Sequence, residues 1–196
     1  MEFFGQINNY LNDFLMNAGM LAPILSCILI FLEGILAFLP LFVFITINFL
    51  TMGPILGCIL SWIFTILGGF TTFYFCRSKI SNYFTKKIKN RKRTKKFMNM
   101  VSKLKFVQIL LLIAIPFTPS FFVNVGAGLS KISVRKYLYA LLLGKIFIVI
   151  FWGFVGTSLL ECLTNPMALI KVGILVLVAY ILGVIVNKKF DLDKRF

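Results

Sequence analysis

The chain has 196 residues, 60% of them hydrophobic, and carries 21 lysines and arginines against 6 acidic residues, for a net charge of +15. Ordinary soluble domains contain about 45–50% apolar residues, so a soluble fold of this size could not bury so much apolar surface. The composition excludes an ordinary soluble domain and predicts an all-α integral membrane protein. The basic charge falls between apolar segments, which favours anionic lipid headgroups as partners and excludes nucleic acid.

The chain divides into three parts. Apolar residues at three- and four-residue spacing predict an amphipathic N-terminal helix over 1–19 that lies on the membrane surface. A membrane domain follows over 20–187, and a short tail over 187–196 ends in the cytoplasm.

The membrane domain begins with a segment, 20–52, that is broken near its middle. Its first part is an apolar helix that carries Glu33 and ends at Pro40. Its second part, 41–52, has 12 residues and is too short to cross a bilayer, which takes about 20. We therefore predict a re-entrant hairpin over 20–52.

A spanning helix and a basic stretch come next. Pro54 is well placed to begin a helix, because its missing N–H would be unpaired there, and 54–75 is uncharged and long enough to span. The stretch 77–105 holds twelve basic residues and no acidic one, with apolar residues at helical spacing, so the positive-inside rule places it in the cytoplasm. It acts there as a topology signal that rests on anionic lipid; a specific headgroup or protein-binding role is the alternative.

The uncharged segment 106–130 predicts a second re-entrant hairpin. Four residues that bend or break helices interrupt it: Pro116, Pro119, Gly126 and Gly128. For the two glycines, close helix packing or a turn is the alternative. Three basic residues follow it directly: Lys131, Arg135 and Lys136. A single crossing would place these cations opposite the stretch 77–105, whereas a hairpin keeps both basic clusters in the cytoplasm. Residues 137–160, which carry Lys145, then cross outward and 167–186 cross back.

An internal repeat relates the two halves. When Pro40 is aligned with Pro116, an asparagine stands eight residues after each proline, Asn48 and Asn124, and a glycine stands twenty-eight residues after each. The predicted topology makes the halves inverted. The fold is therefore predicted to be an inverted repeat of two re-entrant helical hairpins, each followed by a transmembrane helix, plus a C-terminal transmembrane helix. Such repeats are typical of transporters, with the site where they meet.

Five residues are candidates for substrate binding or coupling. Glu33 is the only acid between Asp13 and Glu161, and a carboxylate inside a bilayer indicates a functional site, here one for coupling to protons or cations. A structural pair with Lys145 is the alternative; Lys145 could equally contact a phosphate headgroup. Asn48 and Asn124 either satisfy backbone groups freed by the prolines or contact a headgroup. Arg77 ends a predicted crossing, where it anchors the helix and meets lipid.

No motif for covalent chemistry is present, so we expect neither an enzyme nor a cofactor. The chain has no histidine, and it contains no nucleophile–base pair, metal cluster or phosphate loop.

Two motifs resemble a known family. The run Glu33-Gly-Ile-Leu-Ala-Phe-Leu-Pro40 resembles the first half of the DedA / VTT-domain superfamily, in its TVP-type bacterial branch. The run Pro116-Phe-Thr-Pro119-Ser-Phe-Phe-Val-Asn124 resembles the second half. The resemblance implies two facing re-entrant hairpins and movement of lipids, such as undecaprenyl phosphate or phospholipids. It also implies an acid, which Glu33 matches, and an arginine where this chain has Ile113.

Three functions follow as expectations. The first is a flippase or scramblase in the bacterial cell membrane that moves an anionic lipid between leaflets. The alternative is a proton- or ion-coupled small-solute transporter, or a membrane-homeostasis factor. The third is a non-transporting scaffold that acts through the basic stretch 77–105. The sequence leaves open whether the chain forms a homo-oligomer.

The predicted topology can be checked by labelling. In a variant without the four native cysteines, cysteines placed at Lys86 and Lys131 should react only with reagents that reach the cytoplasm, because both flank a hairpin that returns to its own side. A cysteine at Asn165, in the predicted outer loop, should react from outside. Reaction of the first two positions from opposite faces would rule out the second hairpin.

Overall fold

A computed structural model of the chain describes residues 19, 21–36, 39–80, 104–116, 120–130, 132–162, 165 and 167–190. Every regular element in these ranges is helical: α1 (Leu21–Glu33), α2 (Leu41–Phe75), a π-helical turn (Cys76–Ile80), α3 (Phe106–Ala114), α4 (Ser120–Leu129), α5 (Val134–Glu161) and α6 (Ala168–Phe190). The predicted all-α class is confirmed for this part of the chain. The N-terminal helix, most of the basic stretch, the end of the tail and Pro119 lie outside the described residues.

The outer surface of the helices is strongly apolar. Both α2 and α5 are long and apolar enough to cross a membrane, over Leu41–Ser78 and Val134–Glu161. Their outward side chains include Ile55, 74% exposed, and Phe147, 58% exposed. Helix α6 is likewise apolar around most of its circumference. A continuous belt of this kind is stable in lipid and would aggregate in water.

Helix α2 bends sharply at Gly53, which separates it into α2a (41–52) and α2b (54–75). Gly53 has a φ of 77°, in the left-handed region that favours glycine, and Pro54 begins α2b as predicted. Beyond the bend the chain folds back on itself. A Cβ on Gly57 would lie 2.5 Å from the carbonyl oxygen of Asn48, although a straight helix would separate these residues by about 13 Å.

Helices α1 and α2a form a helical hairpin. The Ser26 hydroxyl near the start of α1 donates to Oδ1 of Asn48 near the end of α2a. Ile30 and Ile45, closer to the connection, share one hydrophobic cluster. The two helices therefore run antiparallel, joined by residues 34–40.

The second pair of short helices is arranged differently. Helix α3 packs mainly on α5 and helix α4 mainly on α2, so α3 and α4 make little contact with each other. Pro116 lies just after α3, where the chain bends. Of the two roles predicted for Gly126 and Gly128, interruption of the segment is wrong, since both lie inside α4. A Cβ on Gly128 would lie 2.5 Å from the carbonyl oxygen of Phe73, so this glycine permits close packing instead.

Positions that the alignment of Pro40 with Pro116 makes equivalent have equivalent contacts. Gly68 of α2b lies against the end of α1, where a Cβ would meet the carbonyl oxygen of Phe31. Its counterpart Gly144 of α5 lies against α3, where a Cβ would be 2.7 Å from Ile113 and 3.2 Å from the carbonyl oxygen of Leu110. Each short first helix thus packs on the long helix of its own half through a matching glycine.

The long helices α2b and α5 run antiparallel and are joined by two hydrogen bonds. The Trp62 indole N–H donates to the carbonyl oxygen of Leu142 at 2.9 Å, and the Tyr137 hydroxyl lies 3.3 Å from the carbonyl oxygen of Gly69. These bonds hold the two halves together.

We expect Gly68→Ala to destabilise the fold strongly. The added methyl group would collide with backbone of α1, which cannot rotate away as a side chain can. The loss should be about 1–3 kcal/mol, measured as a lower midpoint of thermal unfolding in detergent. Gly173→Ala in α6 is the matched control, because nothing lies within 4 Å of its Cβ position. Equal midpoints for the two variants would contradict this packing.

Candidate functional site between the two repeats

Glu33 is held in the interior by the close approach of two glycine-containing backbones. It is the last residue of α1 and is 9% exposed. Gly34 follows it and lies so close to α2b that a Cβ there would be 2.7 Å from the amide nitrogen of Gly69. The Thr72 hydroxyl donates to the carbonyl oxygen of Gly34 at 2.6 Å. These contacts place Glu33 beside the last third of α2b.

Lys145 supplies a buried cation from the other half of the chain. It lies in α5, has no exposed surface, and interacts electrostatically with Glu33. Two charges withdrawn from water are tolerated when they compensate each other. The predicted association of Glu33 with Lys145 is therefore present in the structure.

Lys145 also lies beside the position where the resemblance implies an arginine. Ile113 packs against Gly144, the residue that precedes Lys145. The chain thus lacks the cation on α3 and carries one on the neighbouring turn of α5.

Asn124 of α4 is fully buried and only half satisfied. Its Oδ1 accepts a hydrogen bond of 2.7 Å from the Tyr137 hydroxyl, and the Tyr137 ring stacks on Phe73 with 4.1 Å between centroids. Its Nδ2 lies 3.2 Å from the Cβ position of Gly69 and has no hydrogen-bond partner among the described residues. Buried amide groups are nearly always hydrogen bonded, so this unpaired donor is exceptional.

Glu33 contributes a buried acceptor where Asn124 contributes a buried donor. Its Oε2 is buried and also has no hydrogen-bond partner in the part of the chain that the structure describes. An unpaired acceptor from the first half and an unpaired donor from the second half therefore lie near the glycine pair 68–69. We call the pair of Glu33 with Lys145 and the pair of Asn124 with Tyr137, which are spread over about 12 Å along α5, the polar centre. Such a centre can receive a phosphate oxygen, a proton or a water molecule.

Asn48, predicted as a substrate-binding residue, has its polar atoms occupied within the protein. Its Oδ1 accepts from Ser26, and its Nδ2 donates to the Ser61 hydroxyl at 3.0 Å and lies 3.5 Å from Sγ of Cys27. The amide joins α1, α2a and α2b. Of the two roles that the sequence allowed, the structure shows the internal one.

Arg77 lies just beyond the end of α2b, over the Phe73 ring on which Tyr137 stacks. Its guanidinium donates to the carbonyl oxygen of Ile132 and lies 5.5 Å from the ring centroid of Phe73. It is eight residues beyond Gly69, or roughly 12 Å along a helix. Arg77 therefore anchors the end of α2b to the segment after α4. Pro40 lies directly before α2, at the other bend.

Sequence reasoning missed Ser61, Tyr137 and Trp62. The first two could have been found, because the spacing that separates Pro40 from Pro116 also separates Ser61 from Tyr137. Each provides the hydroxyl that binds the asparagine of its own half. The role of Trp62 depends on the packing of α2b against α5, which no local pattern encodes.

The described residues contain no group of histidine, cysteine, aspartate or glutamate side chains that could hold a metal ion. The arrangement is that of a helical membrane protein whose polar groups converge between two halves. Residues 35–158 match the VTT domain, and the chain therefore belongs to the VTT-domain (DedA) family of membrane proteins.

A curated relative supports the same assignment. The chain is 30% identical over 161 residues to the uncharacterized membrane protein YhjE of Bacillus subtilis (strain 168), which covers 82% of this chain and 78% of that protein. No solved structure matches the chain. The family resemblance predicted from the sequence motifs is confirmed.

We expect Glu33 and Lys145 to be energetically coupled. Lys145→Met should destabilise the protein by about 3–5 kcal/mol, because it leaves a buried charge uncompensated. The double variant Glu33→Gln/Lys145→Met should recover much of that loss, which a double-mutant cycle of thermal unfolding in detergent would measure. Additive losses would show that the two side chains do not interact.

Proposed function

We propose that this protein is a flippase or scramblase that moves an anionic lipid, such as undecaprenyl phosphate or a phospholipid, between the leaflets of the bacterial cell membrane. The observation that carries the proposal is the polar centre, which is buried between the two halves of an otherwise apolar helical domain. Membership of a family of membrane proteins agrees with it. The proposed activity is transport, with no covalent chemistry.

The lengths of the helices support two hairpins that enter the bilayer without crossing it. Helix α1 has 13 residues, α3 has 9 and α4 has 10, so they extend about 14–20 Å against a hydrocarbon core of about 30 Å. Helices α2b and α5 can cross. In this proposal the hairpins enter from opposite faces, and the basic stretch and the C-terminal tail lie in the cytoplasm.

The polar centre lowers the cost of carrying a headgroup across. An ionised phosphate in hydrocarbon would lose its hydration without compensation. Lys145 provides a positive charge for the phosphate, and the Asn124 amide provides a hydrogen-bond donor, while the lipid tails stay in the surrounding bilayer. Because Lys145 is fully buried, the headgroup reaches it only when the hairpins move apart.

Glu33 stabilises the site when no lipid is bound. Without a ligand, its carboxylate compensates the charge of Lys145. A bound phosphate competes for the same cation, and protonation of Glu33 would remove the repulsion between the two anions. Transport would then be linked to proton uptake.

One observation favours a second candidate, a proton- or cation-coupled transporter of small solutes. The unpaired Oε2 of Glu33 is buried where a coupling ion could bind. The two functions differ in whether the transported species has a long acyl or prenyl chain.

Reconstitution of the full chain in liposomes tests the proposal. A fluorescent anionic phospholipid should move between leaflets faster than in empty liposomes, and Glu33→Gln or Lys145→Met should slow it at least about tenfold, since each removes one charge-assisted interaction of the centre. Lys171→Gln is the control, because Lys171 is exposed on α6 and pairs with Glu161 at 3.7 Å.

Two results would refute lipid movement by this centre. One is a wild-type rate equal to that of empty liposomes, and the other is an unchanged rate in Glu33→Gln. Coupled uptake of a small ion without lipid movement would support the second candidate instead.

A further inference from the structure

We infer that the phosphate ester of the transported lipid is taken up by the second hairpin, between α3 and α4, where Asn124 is its hydrogen-bond donor and a ring of basic side chains is its point of entry. This inference rests on the proposed function, because it assigns the binding route of the same ligand. It distinguishes the two hairpins, which the sequence repeat treats as equivalent.

The first hairpin is closed. Helices α1 and α2 pack directly on each other, and the amide group of Asn48 is hydrogen bonded to Ser26, Ser61 and Cys27. The backbone of α2a is in contact with Gly57. No donor of this asparagine remains for a ligand, since both amide hydrogens have partners.

The second hairpin is held together differently. Helices α3 and α4 make little direct contact with each other, because each packs mainly on a different long helix, and the side chains of those long helices lie between them. Asn124 occupies the position equivalent to Asn48 and is equally buried, yet it has a single partner, Tyr137. Its Nδ2 has no partner among the described residues. A buried donor without an acceptor is costly, and an acceptor oxygen from a ligand would remove that cost.

Basic side chains lie at the end of this hairpin where α3 begins and α4 ends. The Lys136 ammonium donates at 2.5 Å to the carbonyl oxygen of Leu104, just before α3, and Arg77 donates to that of Ile132, just after α4. Lys105 and Arg135 are exposed at the starts of α3 and α5. We call these four cations the basic collar. Guanidinium and ammonium groups carry several N–H donors, so one carbonyl contact each leaves others for an anion.

The polar groups along this route indicate which class of ligand it would bind. Its polar groups, the basic collar and Nδ2 of Asn124, are all hydrogen-bond donors. The acidic residues in the described ranges are Glu33, which Lys145 compensates, and Glu161, which pairs with Lys171. Donors with positive charge suit the acceptor oxygens of a phosphate and disfavour cationic headgroups. Asn124 lies six residues before Ser130 at the end of α4, so it is roughly 9 Å deeper than the collar.

A phosphate ester could reach this site from a lipid or from solution, and three probes separate these sources. Phosphatidic acid, diacylglycerol and inorganic phosphate are titrated against the purified full chain in detergent micelles, and binding is measured by the rise in the midpoint of thermal unfolding. Phosphatidic acid should raise the midpoint, whereas diacylglycerol and inorganic phosphate should not at equal concentration. An equal effect of inorganic phosphate would overturn the assignment to a lipid.

The variants isolate the two parts of the route. Asn124→Ala should weaken apparent phosphatidic acid affinity about tenfold, because it removes a donor to a charged oxygen. Asn48→Ala is the matched control, since it removes the equivalent asparagine of the closed hairpin; its midpoint should fall while its affinity for phosphatidic acid changes less than about threefold. Wild-type affinity in Asn124→Ala, or equal weakening by both variants, would overturn the inference.

The double variant Arg77→Gln/Lys136→Gln decides the question if Asn124→Ala does not fold. These side chains lie near the surface, and their loss should weaken phosphatidic acid binding about tenfold. Unchanged affinity would refute the collar. The binding assay needs no transport, so phosphatidic acid that binds through Asn124 but is not moved refutes the proposed function alone. Lipid that moves at the wild-type rate in Asn124→Ala refutes this inference alone.

Discussion

The close approach of α1 to α2b at three glycines is the contact on which the centre of this protein depends. A membrane helix gains little from burying apolar surface against another helix, because lipid is just as apolar, so close backbone packing and polar contacts must hold the helices together. Gly34 contacts the pair 68–69 at distances that no side chain would allow. This contact sets the depth of Glu33. It also leaves room beside Gly69 for the amide of Asn124.

Polar groups placed so deep require partners, and the partners come from different parts of the chain. Asn48 finds hydroxyl groups on α1 and α2b, Asn124 finds the hydroxyl of Tyr137, and Glu33 is compensated by Lys145. In a bilayer these interactions take the place of water. Among the described residues, Oε2 of Glu33 and Nδ2 of Asn124 are buried without a hydrogen-bond partner, which is exceptional for buried polar atoms.

The two halves of the chain share two kinds of contact but differ in how many hydrogen bonds join their short helices. Both place a glycine of the long helix against the first short helix, and both bond an asparagine to a hydroxyl of the long helix. The first half adds Ser26 and Cys27 and becomes a closed hairpin. The second half separates its two arms onto α5 and α2. Within the described residues, the first half is therefore the more fully hydrogen-bonded of the two.

The sequence by itself determined the helical membrane class, the bends near Pro40, Pro54 and Pro116, and the equivalence of Asn48 with Asn124. These features depend on apolar run lengths, on the missing N–H of proline and on fixed spacing, all of which are local. It also identified Glu33 and Lys145 as buried charges, because a charged residue inside a long apolar run is costly and faces the protein interior rather than lipid. The family followed from the motifs around the two bends.

Only the tertiary structure shows which of these side chains have all their polar atoms hydrogen bonded within the protein. The sequence treats Asn48 and Asn124 alike, and only the packing of α1 and α4 shows that one amide is fully used and the other is not. It likewise showed that Gly126 and Gly128 lie inside α4, where Gly128 permits close packing on Phe73. The physical reason is that hydrogen-bond saturation and close backbone contact depend on neighbours distant in sequence, which spacing and composition do not encode.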